Sequence, residues 1–383
     1  MTLRLATFNV ENLLTRFDFS GFRNELRQDR TLRMLDIRNE AVYREMEVAR
    51  VVAATDDTRQ QTALAIADTF SDMICLQEIE SLDALGAFEA NYLYRMVGNG
   101  YPHKYLIEGN DSRGIDVAVM LRDHTSTGEP IDFVSIRSHA AVTYGEMNLF
   151  SPQLAPQEKP TDRIFRRDCL EIDLRVGGKP VTVYVVHFKS KGGVRQPRPG
   201  APVPVDAPAP DTPAAMDPTY AVRHAEAAAV RRIIENQFGA EGARRANFVI
   251  CGDMNDFMEQ VTVTGDRRNG YQFQPQVLPG SALEVLKAGG FAENVVERRE
   301  PLDRWTHYHA RGPEDRHLCQ LDYIWLSPAL AARNAGHLPE IIRNGQPHRT
   351  VFPPGQDVER YPRIGWDRPK ASDHCPVVME IEL

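Results

Sequence analysis

Residues 372–381 carry the sequence SDHCPVVMEI, an Asp-His pair followed at once by an apolar run. The run predicts a strand, and Asp373 and His374 stand where a loop enters it. Imidazole titrates near neutral pH and a carboxylate can orient it, so such a pair could work as an acid/base unit. An isolated pair of this kind is more often part of a surface turn. Its meaning therefore depends on what the ends of the other strands carry.

Hydrophobic strands that end in a polar side chain recur along the chain. The strand-like runs 3–8, 72–77, 181–186 and 247–251 each lead into such a side chain, and the apolar run 321–326 contains one. The residues concerned are Asn9, Glu78, His187, Asp253 with Asn255, and Asp322. If these strands pack side by side, the polar groups converge at one edge of a sheet, where sites in α/β proteins tend to lie.

The residue types at these strand ends indicate a metal site. Carboxylate and amide oxygens suit Mg²⁺ or Mn²⁺, whereas a zinc site would contain more histidine or cysteine. A hard cation together with one or two histidines fits phosphoester chemistry, because metal and imidazolium offset the charge of the transition state.

The composition is that of a globular protein with a substantial core. Of the 383 residues, 42% are hydrophobic and 26% are charged, and we expect residues 1–383 to form a single domain. The net charge of -8 argues against a protein that coats nucleic acid by bulk electrostatics. It is compatible with a local basic groove.

The cysteines and the N-terminus suggest a cytoplasmic protein. The five cysteines include no CxxC pair and several lie in apolar runs, which predicts buried free thiols in a reducing compartment. Strand-like sequence begins directly after Met1, and no run approaches the ~18 apolar residues of a membrane span.

Further patterns predict the remaining elements. The spacing of apolar residues predicts helices over 58–70 and 81–97 and a strand hairpin from 305–309 and 319–326. Residues 16–56 form a charged, partly helical insertion, either a lid facing the substrate or a solvated helical hairpin. Residues 195–213 form a Pro/Ala-rich loop that we expect at the rim of a site, because strand patterns resume beyond it.

A set of short motifs, taken in order, resembles the endonuclease/exonuclease/phosphatase superfamily, which has the DNase I-like fold. The motifs are ATFNVENL at 6–13, ICLQE at 74–78, VVH at 185–187, GDMN at 252–255, LDYI at 321–324 and SDHCPV at 372–377. The resemblance covers the whole chain. It implies an α/β fold, a four-layer sandwich of two packed mixed β-sheets flanked by helices, with the site at one edge.

The resemblance also implies metal ligands. Glu78 would be the principal ligand, with Asn9 nearby. Glu11 would either ligate the metal or support a ligand, and Asp373 would be a ligand at an alternative metal position. The implied cofactor is Mg²⁺, with Mn²⁺ as an alternative.

The remaining implied roles concern water and phosphate. Asp253 and Asn255 would orient the attacking water and hold the phosphate, with Asp253 as the base. His374, oriented by Asp322, would contact the scissile phosphate.

His187 would donate to a phosphate oxygen or act as the acid, with Asp116 as its carboxylate partner. Arg113 could contact phosphate, and Lys189 and Lys191 follow His187 closely enough to line a groove for a phosphate backbone. The aromatic residues Trp305, Tyr308 and Trp366 could stack on bases or pack.

The superfamily hydrolyses phosphoesters in DNA, RNA, inositol phosphates and sphingomyelin. Inositol phosphatases carry Trp-Cys-Asp-Arg where this chain has QLDY at 320–323, which counts against that activity. We therefore expect a metal-dependent nuclease with nucleic acid as substrate and predict no protein partner. The alternatives are a phosphoesterase for a small-molecule or lipid phosphoester, and a non-catalytic binding protein. The binding protein would be expected to lose Glu78, Asp253 or His374, and all are present.

Overall fold

The computed structural model describes residues 1–14, 56–111, 113–155, 157–191, 217, 219–312 and 314–383. The predicted insertion 16–56, apart from its last residue, and the predicted loop 195–213 lie outside the described residues. In the described part of the chain, no helix combines the length and hydrophobicity that a bilayer span requires.

The first sheet contains the N-terminal and C-terminal strands. In spatial order its strands are β15 (Glu340–Ile341), β16 (Val377–Glu382), β1 (Thr2–Leu13), β2 (Met73–Ile79), β4 (Asp116–Leu121) and β3 (His103–Leu106). β1 and β2 are parallel, and the other pairs are antiparallel. The parallel pair requires a crossover, and helix α1 (56–68) lies in that connection.

The second sheet repeats this arrangement with a different part of the chain. In spatial order its strands are β11 (Glu293–Asn294), β14 (Asp322–Leu326), β8 (Phe248–Asp253), β7 (Lys179–His187), β6 (Cys169–Val176) and β5 (Ile131–Ser138). Its single parallel pair is β7 with β8, and helix α4 (Tyr220–Phe238) lies in the crossover.

The two sheets pack face to face over a core of aliphatic side chains. Leu5 and Val119 of the first sheet belong to the same buried cluster as Val183 and Val249 of the second. Their outer faces are covered by helices, which explains why the central strands read as nearly continuous apolar runs. The α-helices of the described residues are α1, α2 (Leu82–Phe88), α3 (Tyr94–Val97), α4, α5 (Ala240–Ala243), α6 (Glu284–Lys287) and α7 (Pro328–Arg333), not all of which cover a sheet face.

Helices α1 and α2 cover the first sheet and α4 covers the second. The predicted four-layer α/β sandwich is confirmed. The predicted buried free thiols are confirmed as well, since all the cysteines are buried and unpaired.

A third, antiparallel sheet was not expected from the sequence. In spatial order its strands are β10 (Gly270–Val277), β9 (Glu259–Asp266), β13 (Arg316–Cys319) and β12 (His307–Ala310). The predicted hairpin of 305–309 with 319–326 forms with other bounds, because β12 pairs with β13 and residues 322–326 form β14 of the second sheet. The hydroxyl of Thr306 accepts hydrogen bonds from the amides of Leu321 (3.0 Å) and Asp322 (3.1 Å) and fixes the chain where it passes between the sheets.

Candidate active site

Strand register aligns three polar side chains at one end of the second sheet. Asp322, the first residue of β14, lies opposite Asp253, the last residue of β8. His187, the last residue of β7, lies beside Asp253 in the parallel pair. The strands approach closely here, since a Cβ at Gly252 would overlap the carbonyl oxygen of Val186.

Irregular backbone exposes the polar side chains of the first sheet. The register of β1 with β2 shifts after Asn9, and that of β2 with β4 shifts at Glu78. Glu78 has φ of 68°, and Glu11 and Asn12 have φ of 51° and 62°. Positive φ is rare for residues with a side chain and costs free energy, so these bulges are built to re-aim particular groups.

Asp253 lies at the centre of the site and is 1% exposed. One of its carboxylate oxygens accepts from the Asn9 side chain across the sandwich and from the Asn255 side chain, both at 3.0 Å. The other accepts from the Asn255 amide at 2.9 Å. Burial raises the pKa of Asp253 to about 6, although the charge of His374 opposes the rise. The carboxylate is thus fixed in place and only weakly acidic.

His374 is held by a carboxylate from the other sheet. Its Nδ1 lies 2.9 Å from Oδ2 of Asp322, and its Nε2 lies 4.0 Å from Asp253. Burial alone would lower the pKa of His374, but Asp322, Asp253 and Asp373 together raise it well above the ordinary value. The imidazole is therefore protonated at neutral pH.

His187 has the opposite environment. Its Nδ1 is buried without a hydrogen-bond partner among the described residues. Its Nε2 lies 3.4 Å from Asp253 and 4.0 Å from Glu78. Burial, followed by the positive charges of Arg167 and His374, lowers the pKa of His187 well below the ordinary value. This imidazole is neutral.

The structure does not bring Asp116 into a hydrogen bond with His187. The Asp116 carboxylate accepts instead from the amide of Gly109 at 2.7 Å. Burial raises the pKa of Asp116 to about 6, and the neighbouring carboxylate of Glu108 adds to the rise.

The Glu78 carboxylate lies 4.0 Å from Nε2 of the neutral His187. One oxygen accepts from the Asn12 amide at 2.9 Å, and in the described chain no lysine or arginine lies within salt-bridge distance of the other. Burial raises the pKa of Glu78 to about 7, and the carboxylates of Asp373 and Asp253 add to the rise while His374 opposes it. Closely spaced carboxylates in need of positive charge fit a hard divalent cation.

Glu11 has basic partners, unlike Glu78. It forms ion pairs with Arg368 at 2.7 Å and Lys370 at 2.9 Å and accepts from the amide of Asp373 at 3.1 Å. Its contacts therefore anchor the loop that carries Asp373 and His374.

Sequence reasoning missed His307. Its Nε2 lies 3.9 Å from Asp373, and its ring centre lies 5.1 Å from that of His374. Burial lowers the pKa of His307 to about 3, and the charge of His374 contributes. The signal was the alternation in the sequence HYHA at 307–310, which places two histidines on one strand face.

The predicted phosphate-binding residues divide into two groups. Arg113 is paired with Asp111 at 3.1 Å. Together with Lys189 it contributes to lowering the pKa of His187, so both lie on that side of the site. Lys191 instead pairs with Asp256, 3.1 Å from its ammonium.

A comparison with protein-family models assigns the chain to a family. The model of the endonuclease/exonuclease/phosphatase family matches residues 6–374. The chain belongs to this family. Its members are hydrolytic phosphoesterases that generally use divalent metal ions, and the predicted relationship is confirmed. A search of curated proteins finds no match.

Solved structures of family proteins are similar to this family member in fold. A protein of the family from Bacteroides thetaiotaomicron is 13% identical, with 100% of this chain and 95% of the other covered and a TM-score of 0.51. The human Nocturnin catalytic domain is 13% identical, covering 100% and 94%, with a TM-score of 0.48. TDP2 of D. rerio with single-strand DNA product is 13% identical, covering 100% and 99%, also with a TM-score of 0.48. At such identity the likeness to the Bacteroides protein supports a shared fold alone.

Proposed function

We propose that this family member is a divalent-metal-dependent nuclease that hydrolyses phosphodiester bonds of nucleic acid with an activated water. The observation that carries the proposal is the meeting of carboxylates and imidazoles from both sheets. Glu78 and Asp253 lie within 4.0 Å of the same nitrogen of His187, and Asp253 also lies 4.0 Å from His374.

The donor set fits a hard cation held by oxygen atoms. Glu78 and Asp373 would hold it, with the Asn9 carbonyl oxygen beside them. When bound, the cation supplies positive charge that polarises the phosphoryl group. Asn9 also positions a neighbour, since its amide group donates to Asp253 while its oxygen accepts from the amide of Glu11 at 3.0 Å.

The acidic and basic roles follow from the protonation states. Asp253, with a pKa of about 6, is ionised at neutral pH and basic enough to accept a proton from water. His374, kept protonated by Asp322, brings positive charge to the scissile phosphate. His187, which is neutral, can donate its one ring N–H to a phosphate oxygen.

Basic residues beside His187 support a polyanionic substrate. Arg113 and Arg167 both contribute to lowering the pKa of Lys189, after the larger effect of burial, so the three cations lie close together. Arg167 is buried and ion-paired with Asp111, so Arg113 and Lys189 are the two that would contact phosphates of a nucleic-acid backbone. Trp366, which is 65% exposed, is available to stack on a base, whereas Trp305 and Tyr308 are buried and pack in the core.

The test is cleavage of plasmid, single-stranded DNA, RNA and a generic bis-phosphodiester with Mg²⁺, Mn²⁺ or EDTA. We expect cleavage of nucleic acid with metal, none with EDTA, and none by the isosteric variant Glu78→Gln. Glu300→Gln, which removes an exposed carboxylate far along the chain, is the matched control. Cleavage of the bis-phosphodiester alone would indicate a small-molecule phosphoesterase. No cleavage under any metal would contradict the nuclease proposal.

A further inference from the structure

A second group of potential metal ligands lies on the third sheet, outside the site described above. His309 of β12 and His317 of β13 are directly opposite each other in the antiparallel pair. Opposite residues in such a pair project from the same face with their Cβ atoms about 5 Å apart. Accordingly, the two imidazole rings lie 4.6 Å apart, centre to centre, and are nearly parallel.

A carboxylate from the turn between the strands joins the two rings. Oδ2 of Asp315 lies 3.3 Å from Nε2 of His309, and Oδ1 lies 3.9 Å from Nδ1 of His317. One potential ligand atom from each of the three residues lies within 4.8 Å of the other two. Each oxygen of one carboxylate thus faces a different histidine.

The structure assigns, we propose, a transition-metal site to His309, Asp315 and His317, with Zn²⁺ as the representative ion. Two imidazoles and one carboxylate are typical ligands of Zn²⁺ and of neighbouring ions such as Ni²⁺ and Cu²⁺. Ligands of one tetrahedral ion lie about 3.5 Å apart, given bonds of about 2.1 Å. The observed oxygen–nitrogen separations, 3.3 and 3.9 Å, lie on either side of that value.

The site of His309, Asp315 and His317, called the outer site below, differs from the catalytic site in solvent access and in ligand composition. The side chains of His309 and His317 are 23% and 20% exposed and that of Asp315 is 57% exposed, so an ion and its remaining water ligands can enter from solvent. The catalytic cluster offers mainly carboxylate and amide oxygens, which favour a hard cation. The two sites therefore select different metals.

The outer site is connected to the catalytic one through a single hairpin. His307, two residues before His309, lies on the same strand face and pairs with His374 through an isolated bridge. A metal that joins β12 to β13 at the outer end therefore restrains the hairpin whose inner end contacts the catalytic histidine.

The test is calorimetric titration of the full-length protein with Zn²⁺ in excess Mg²⁺. The variants are His309→Gln, His317→Gln and Asp315→Asn, each checked for an unchanged thermal midpoint in EDTA. The matched control is His103→Gln, because His103 also pairs with an exposed aspartate, Asp123, at 2.7 Å but does so as a single histidine.

We expect wild type and the His103→Gln control to share one Zn²⁺-binding event that either histidine variant weakens at least about tenfold, since even groups behind the ligands matter this much. Zn²⁺ that enters the catalytic site gives an event common to all variants. With Co²⁺, the wild type should show visible absorption that His317→Gln lacks. Equal Zn²⁺ affinity in the wild type and all three variants would overturn the proposal, and so would an equal loss in the His103→Gln control. Asp315→Asn, which alters only an exposed turn residue, keeps the test valid if a histidine variant misfolds.

Discussion

His374 and His187 both lie near Oδ2 of Asp253, at 4.0 and 3.4 Å, yet they differ in charge. His374 bonds to the carboxylate of Asp322, and its pKa is raised. His187 has burial and nearby cations instead, and its pKa is lowered. Two histidines of the same site thus supply different groups, a cation at His374 and a neutral donor at His187, because their neighbouring residues differ.

The largest expected effect comes from removing each histidine in turn. His374→Ala should lower kcat about 10³-fold, because it removes a positive charge from the scissile phosphate, and His187→Ala about 10²-fold, because it removes a neutral donor. Steady-state kcat with Mg²⁺ at pH 7 measures both. His103→Ala, an exposed histidine, is the control. A larger loss of kcat for His187→Ala than for His374→Ala would contradict the assignment of His374 as the charged histidine.

The next effect concerns the group that makes the two histidines different. Asp322→Asn should lower the pKa of His374 and reduce kcat at pH 7.5 about 10- to 100-fold, within the usual range for acid–base groups. The protonated imidazole would then be lost at lower pH than in the wild type, so the alkaline fall of the pH–rate profile should move to lower pH. An unmoved profile would mean that Asp322 only supports the fold.

The next prediction concerns Glu78 and the stability of the metal-free protein, in contrast to the two histidines. Its pKa is about 7 in the folded protein against about 4.5 when unfolded, so the folded state binds the proton more tightly. Its contribution is fully present below about pH 4.5 and is lost as pH rises through about 7.

In EDTA, wild type should therefore lose up to about 3 kcal/mol relative to Glu78→Gln between pH 4.5 and 8. Urea unfolding of both proteins across this range measures the difference. Added Mg²⁺ should restore only the wild type. If the free energy of unfolding of the two proteins varied with pH in parallel, the pKa of Glu78 would not be raised in the folded state.

The smallest effect on activity is expected for Asp116→Asn. The carboxylate of Asp116 accepts a hydrogen bond from the Gly109 amide and not from His187. Asparagine keeps an oxygen that can accept the same bond. We expect kcat to fall less than about tenfold, below the range for a direct acid–base partner. A fall of about 10²-fold or more would mean that Asp116 orients His187 during catalysis, as the sequence resemblance implies.

Predictions from the sequence succeeded where the pattern is local. A buried apolar run that ends in a charged residue can be read directly, and Glu78 and Asp253 lie where such runs end. The resemblance also implied that Asp322 orients His374, and the structure brings them within 2.9 Å.

Predictions were incomplete where long-range pairing decides. The resemblance left Glu11 either as a ligand or as support for one, and no local pattern shows its contact with Arg368 across 357 residues. The hairpin of β9 with β10 is local, and its alternation at Val261, Val263 and Phe273 was overlooked, whereas the pairing of β9 with β13 that completes the third sheet is long-range.

The unusual backbone angles near the site have a consequence for protein redesign. Among the described residues, seven that are not glycine have positive φ, and four of them border the site: Glu11, Asn12, Glu78 and Asn255. A procedure that optimises stability alone would place glycine at all four, since glycine adopts this conformation without steric cost. It would thereby erase the carboxylates and amides that form the pocket. Conversely, a backbone trace without side chains would still show positive φ at these four positions beside the site.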